Sequence, residues 1–270
     1  VFWSVTTAMI GAREKTRGSR PGRAFLLLGA CAWLACMARG PAYAGEARTA
    51  GHLGAVYDVY ALKDPAGLRL FLRDAKGRDF RGFGRVKEAV EARGGELVFA
   101  MNAGMFHPDH RPVGLYIEEG FEIAPLNRGE GRGNFFMRPN GVFYVTGQGA
   151  GIMETGRFAR AGLLPRLATQ SGPLLVEKGR MHPRFYQDSP YREIRNGVGV
   201  RASGEIVFAI SREPVNFYDF ASFFRDALGC PDALYLDGSL SGAYIPALGR
   251  EHPGGNFGPI IGEIAGENAR

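Results

Sequence analysis

Glycine sets the terms for this chain. Of its 270 residues 40 are Gly, they fall at the ends of short apolar runs, and extended helical periodicity is scarce. Such a chain folds into short strands joined by turns. Residues 56–62 and 68–72 read as two strands joined in a hairpin through Pro65-Ala66-Gly67. Residues 85–93 have helical spacing, with Val86, Ala89 and Val90 on one face and Gly94-Gly95 as the stop. The continuous apolar run 97–101 suits a strand buried on both faces, and it delivers Asn102 at its end. A hairpin is expected for 114–118 and 121–124 around Glu119-Gly120. A third is expected for 134–137 and 142–145 around Arg138-Pro139-Asn140-Gly141. Residues 147–161 read as an irregular or short helical connection, and 198–201 pairs with 206–210. The best helix is 216–228, with Phe220, Phe223, Phe224 and Leu228 on one face and Gly229 as its stop. A strand over 233–236 then ends in Asp237. The expected fold is α+β: a mixed β-sheet core with hairpins and two main packing helices, forming a single domain over residues 45–270.

Residues 1–44 are of another kind. Arg13, Lys15, Arg17, Arg20 and Arg23 lead into an apolar run from Ala24 to Met37, and Ala42-Tyr43-Ala44 follows. A basic lead, an apolar stretch shorter than the ~20 residues of a membrane span and a small-x-small site make a secretory signal, cleaved after Ala44. Leu28-Gly29-Ala30-Cys31 offers a lipid-anchor alternative, but the apolar run continues past Cys31. The expected location is the periplasm or the outside of the cell, with no stable membrane insertion once the signal is gone. Removing six bases and one acid from totals of 33 and 27 leaves 27 against 26. The net charge is then near +1, and nucleic acid loses its electrostatic warrant as a partner. Cys31 and Cys36 leave with the signal, so Cys230 has no partner for an internal disulfide.

Four polar, Gly-containing segments stand out in what remains: Asn102-Ala103-Gly104-Met105-Phe106, Gln170-Ser171-Gly172-Pro173, Arg195-Asn196-Gly197-Val198-Gly199, and Leu236-Asp237-Gly238-Ser239-Leu240-Ser241. Ligands in open sheets gather beyond the ends of such strands. If the strands ending at Asn102 and Asp237 share a sheet, the two residues line one crevice.

In this order the four segments resemble the phosphodiester glycosidase family, the N-acetylglucosamine-1-phosphodiester alpha-N-acetylglucosaminidase or uncovering-enzyme-like domains. They approximate its Asn-Gly-Gly-Phe-Phe, Ser-Gly-Pro, Arg-and-Gly and Leu-Asp-Gly-Gly-Gly-Ser patterns over roughly residues 55–262. Ala103 and Met105 depart from the first pattern, and Ser239 and Leu240 replace two glycines of the last. The resemblance implies an exported hydrolase that cuts between an anomeric carbon and phosphate in a phosphorylated glycan or glycolipid.

The residue types suit that chemistry. A phosphate ester leaves as a weak base, so its departure needs charge stabilisation more than strong protonation. Arg195 supplies a planar fork for phosphate oxygens, and the backbone N–H groups of Gly104, Gly172 and Gly238 add donors. Asp237 acts at the anomeric carbon as base, nucleophile or stabiliser of an oxocarbenium-like state. Asn102 is placed to bond a sugar hydroxyl or acetamido group, with Phe106, Ser171, Asn196, Ser239 and Ser241 as further contacts. Glu118 is the preferred second acid, and His107 a candidate to protonate the leaving oxygen. His107-Pro108-Asp109-His110 lacks the helix that holds a metalloprotease His pair, so no metal is assigned. Gly129-Glu130-Gly131-Arg132-Gly133 lacks a P-loop's Lys and Ser or Thr; it reads as a flap over the cleft, and no cofactor is indicated. Two other classes remain: a non-catalytic envelope module binding phosphorylated or acidic glycan, and a serine hydrolase using Ser241 or Ser171.

Overall fold

The structure is a computed structural model and describes residues 45–237, 240–251 and 255–266. The expected signal segment, and Gly238 and Ser239, lie outside the described residues.

Three antiparallel sheets organise the described chain. The first runs Glu46–His52, Ala55–Leu62, Ile206–Ser211, Asn196–Val200, Asp232–Asp237, Leu174–Glu177 and Arg180–Met181. The second runs Arg250–Glu251, Ala243–Ile245, Glu96–Asn102, Ile260–Ala265 and Leu68–Phe71. The third runs Phe121–Ala124, Tyr116–Glu118, Leu167–Ser171, Gly141–Thr146 and Gly149–Glu154. Their inner faces close on one core. Tyr60 of the first sheet stacks on Phe99 of the second at 4.3 Å, Phe99 meets Phe208 of the first at 4.9 Å, and Phe143 of the third meets Phe208 edge-on at 6.1 Å. All four rings are at most 2% exposed, and burying each stabilises the fold by about 1.5–3 kcal/mol.

Helices cover two outer faces. Phe83–Glu91 lays Phe83, Val86 and Val90 on the second sheet. Asn216 caps the other covering helix by accepting the Asp219 N–H at 2.8 Å. That helix, Phe217–Ser222, continues as a wider π turn over Phe223–Ala227. Phe220, Phe223 and Phe224 thereby pack on the first sheet, where Phe223 stacks on Tyr57 at 3.9 Å. A Cβ on Gly199 would lie 2.8 Å from the Phe224 ring and 2.7 Å from Cys230 Sγ. This glycine of the Arg195–Gly199 segment therefore serves helix-on-sheet packing.

Several expectations need correction. The fold is mostly β, and the strand pairings are antiparallel rather than mixed. Residues 56–62 and 68–72 form no hairpin, because a 3-10 turn at Pro65–Gly67 sends the second strand into another sheet. Asn134–Phe136 is a 3-10 turn with Phe135 buried. Gly141–Thr146 pairs instead with Gly149–Glu154, the first part of the stretch read as an irregular or short helical connection, while its second part, Thr155–Arg160, is a short helix. The strands ending at Asn102 and Asp237 lie in different sheets. Each is flanked by partners distant in sequence, which local patterns do not reveal.

Candidate functional site

Although they belong to separate sheets, the ends of those two strands are joined by side chains. The Asn196 side chain stands between them. Its Nδ2 donates to the Asn102 carbonyl at 2.8 Å and to Asn102 Oδ1 at 3.0 Å, and its Oδ1 accepts the Asp237 N–H at 3.0 Å. Gly242 N–H donates to Asn102 Oδ1 at 2.8 Å. Ser241 Oγ donates to the Asp237 carbonyl at 2.7 Å and lies 3.3 Å from Asn196 Oδ1, and Ser171 Oγ donates to the Leu236 carbonyl at 2.9 Å. A register shift between Asn196 and Gly197 lets Asn196 sit opposite Asp237 while Gly197 faces Tyr235. Bulges of this kind re-aim a side chain at a strand end.

Asp237 forms part of the wall of a cavity of about 540 Å³, together with Phe106, His107, Arg132, Asn134 and Leu240. It is the one carboxylate among the described lining residues. His107 is exposed there. Phe106 is backed by the buried His110, whose ring stacks at 5.4 Å and whose Nε2 meets Asn256 Oδ1 at 2.8 Å. Gly172 underlies the opposite wall: a Cβ there would come 2.6 Å from the Phe135 carbonyl oxygen.

Arg195 opens onto an adjoining compartment of about 370 Å³, which shares Asn134 with the first and includes Tyr186, Tyr191 and Tyr218. Its guanidinium lies 3.8 Å over the Phe217 ring. Nε donates to the Val215 carbonyl at 2.8 Å, Nη1 to the Tyr235 hydroxyl at 3.1 Å and Nη2 to the Tyr191 carbonyl at 3.1 Å. Five N–H donors less these three leave one on each terminal nitrogen, which is the pair a phosphate needs. Burial pulls the guanidinium below its ordinary pKa, while the Tyr235 hydroxyl beside it acts in the opposite direction. Burial pushes the Tyr235 phenol up; the Arg195 charge draws it back and the Asp237 charge raises it further. The Arg195 and Asp237 charges thus act on one phenol in opposite directions.

The remaining expected residues divide. Asn102 is fully buried and does not line the cavity; its Nδ2 is buried without a partner. Gly104 is likewise enclosed, facing Thr169, whose hydroxyl donates to the Ala103 carbonyl at 2.7 Å. Ser171 is fully buried. Neither Ser171 nor Ser241 has a histidine partner among the described residues. Asn196 acts inside the strand junction. Glu118 is not brought to the site. It lines a separate cavity of about 450 Å³ with Arg69, Arg73 and Lys76, and the pairing of Ile117 with Ala168 puts it at the far end of the Leu167–Ser171 strand. Burial, with Glu119 adding to it, pushes its carboxyl up to about 7; the Tyr116 hydroxyl works against this but makes no hydrogen bond of normal geometry. Among the described residues no three His, Cys, Asp or Glu side chains converge on a metal position, and no helix is long and apolar enough to cross a membrane.

Sequence reasoning missed Asn134, which stands where the two compartments meet, because Asn134-Phe135-Phe136 was expected to be a strand. It also missed Tyr235. Its position two residues before Asp237 was the available signal, since alternate strand residues share a face.

Residues 95–260 match the phosphodiester glycosidase family. The chain belongs to that family. Within it, the chain is 42% identical over 151 residues to YigE, an uncharacterized protein of Escherichia coli K12; the alignment spans 56% of this chain and 59% of the relative. The fold is similar to that of the zebrafish N-acetylglucosamine-1-phosphodiester alpha-N-acetylglucosaminidase catalytic domain, solved auto-inhibited by its pro-peptide. That likeness has a TM-score of 0.57 at 13% identity and covers 84% of each chain. A hypothetical protein from Synechocystis is more distant, with a TM-score of 0.49 at 15% identity over 82% of this chain and 62% of its own.

Proposed function

We propose that this chain is an exported glycosidase that hydrolyses the bond between a sugar's anomeric carbon and phosphate in a sugar-1-phosphodiester. The observation that carries the reading is the pairing of compartments. Asp237, the one carboxylate among the described residues lining it, stands in one, a guanidinium with an N–H on each terminal nitrogen beyond its three protein bonds stands in the next, and Asn134 belongs to both. Family membership supplies the reaction class.

The sugar occupies the Asp237 compartment and the phosphate reaches toward Arg195. As the anomeric C–O bond lengthens, negative charge grows on the phosphate oxygens, and two charge-assisted N–H bonds from Arg195 stabilise it. Phe217 and three protein acceptors hold that fork in place before substrate arrives. Asp237 serves the positive charge developing at the anomeric carbon, and its backbone is fixed through Asn196 and Asn102. Glycosidases that expel an alcohol use a second carboxyl to protonate it. A phosphate monoester is already a weak base, so one carboxylate suffices, and His107 is in reach of the same cavity to donate a proton. Leu240 adds an apolar side chain, 42% exposed, to the cavity wall, where the family pattern has glycine. This narrows the sugar pocket.

The test is a panel of sugar-1-phosphodiesters, aryl glycosides and acyl esters offered to the wild type and to Asp237→Asn. Sugar release from the phosphodiesters by the wild type, lost in a variant with an unchanged melting curve, supports the reading. Affinity without turnover assigns the chain to glycan binding instead.

A further inference from the structure

We propose that hydrolysis of the Ala44–Gly45 bond creates a new N-terminus whose α-ammonium pairs with the buried carboxylate of Glu263, making leader removal the step that completes the fold. The inference is independent of the catalytic reading, since Gly45 and Glu263 line neither compartment.

Glu263 lies in the Ile260–Ala265 strand and is fully buried. Its Oε2 accepts the Tyr60 hydroxyl at 2.5 Å and the Gly45 N–H at 3.1 Å, while Oε1 is buried without a hydrogen-bond partner. No Lys, Arg or His side chain pairs with it among the described residues. A buried carboxylate without a cation is costly. Burial accordingly pushes its pKa up, and the charge of Asp64 acts in the same direction. The missing partner is a positive charge.

Gly45 is where that charge would arise. Its nitrogen donates to both the Tyr60 hydroxyl, at 2.9 Å, and Glu263 Oε2. An amide has a single hydrogen for these two acceptors, whereas an α-ammonium has three and carries the charge. The seat is shaped for glycine: a Cβ on residue 45 would come 2.6 Å from the Ala61 carbonyl oxygen and 2.7 Å from the Tyr60 ring. The residues just before it, Ala42-Tyr43-Ala44, form the small-x-small site that ends the leader. The strand that begins one residue later, Glu46–His52, is the edge strand of the first sheet, pairing only with Ala55–Leu62 among the described strands. An ion pair at its head would pin it.

The covalent step balances. A peptidase of the exported-protein pathway adds water across the Ala44–Gly45 amide, Ala44 leaves as a carboxylate, and the Gly45 amine takes up a proton at neutral pH.

The full chain with its leader is expressed in an exporting bacterial host, and the exported product is analysed by intact mass and N-terminal sequencing. It is then exposed to an amine-reactive label at pH 7.5, folded and in urea. The product is expected to begin at Gly45 and its α-amine to label about tenfold or more slowly when folded, the factor for one unit of raised pKa. In Glu263→Gln the folded rate should recover. A first residue other than Gly45, equal folded and unfolded rates, or protection that persists in Glu263→Gln overturns the proposal. Should Glu263→Gln not fold, the wild-type comparison decides alone.

Discussion

Replacing Asn196 by Ala removes the side chain that joins the two sheet ends, and the structure sets the size of the effect. The substitution deletes both donors to Asn102 and the acceptor of the Asp237 N–H. Asp237 is 7% exposed and Asn102 is fully buried, so neither group can turn to water. One orphaned buried donor costs about 1–3 kcal/mol. Together with the space left behind, a loss of about 3 kcal/mol is expected, which lowers Tm by about 6–12 °C in a domain of this size. Activity should fall further than stability, because a displacement of about 1 Å at Asp237 costs about 100-fold. Asn102→Ala and the double variant close a cycle, read by urea unfolding. Contacting residues give coupling energies of about 0.5–3 kcal/mol. Ser241→Ala is the control, since it removes only a hydroxyl that bonds the Asp237 carbonyl and lies beside Asn196, and it should cost about 1 kcal/mol or less. Additive losses at Asn102 and Asn196, or full turnover in Asn196→Ala, would refute the claim that this junction positions Asp237.

Other outcomes follow from the same geometry. Arg195→Lys replaces a fork over Phe217 by a point charge and gives up the bond to Val215; kcat/KM for phosphodiesters should drop about 100-fold while aryl glycosides change little, and equal losses on both would remove the phosphate role. Gly172→Ala drives a Cβ to 2.6 Å from the Phe135 carbonyl oxygen, so the 133–136 wall shifts; KM should rise with Tm lowered, as steady-state kinetics and thermal melts would show. Glu118 has a folded pKa raised to about 7. A carboxyl raised in the fold contributes its stability below the ordinary carboxylate range and loses it as the pH climbs through about 7. Glu118→Gln should therefore be more stable than the wild type at pH 8, little different at pH 4, and as active at every pH, whereas an activity loss would return Glu118 to the catalytic machinery.

The sequence carried local structure well where period and stop signals agreed. Phe220, Phe223 and Phe224 with Gly229 announced the helix, and the run into Asn102 and the run into Asp237 announced two strands. It carried sheet membership poorly. Glu96–Asn102 is flanked by Ala243–Ile245 and Ile260–Ala265, over 140 residues away in the chain, and no local pattern encodes such pairing. Gly149-Ala150-Gly151 was unreadable as a strand because it lacks branched side chains, although its register with Tyr144 and Val145 is regular. Among the residues lining the candidate cavity, Asp237 was legible as a carboxylate at a strand end, and Phe106 and His107 as an aromatic and a polar residue of the loop that follows Asn102. Asn102 and Asn196 were legible as polar but not as inward-facing, since a strand-end amide reads the same whether it bonds a sugar or another strand. Glu118 misled because a hairpin acid carries no mark of which cavity it will face.

The central claim is cleavage at carbon, assisted by Asp237, with phosphate departing. Hydrolysis of a sugar-1-phosphodiester in ¹⁸O-enriched water tests it most directly, with the products resolved by mass. The account predicts the heavy oxygen on the anomeric carbon of the released sugar, none in the phosphate monoester, and no label transfer above background in Asp237→Asn. Heavy oxygen in the phosphate would mean attack at phosphorus and would contradict the account.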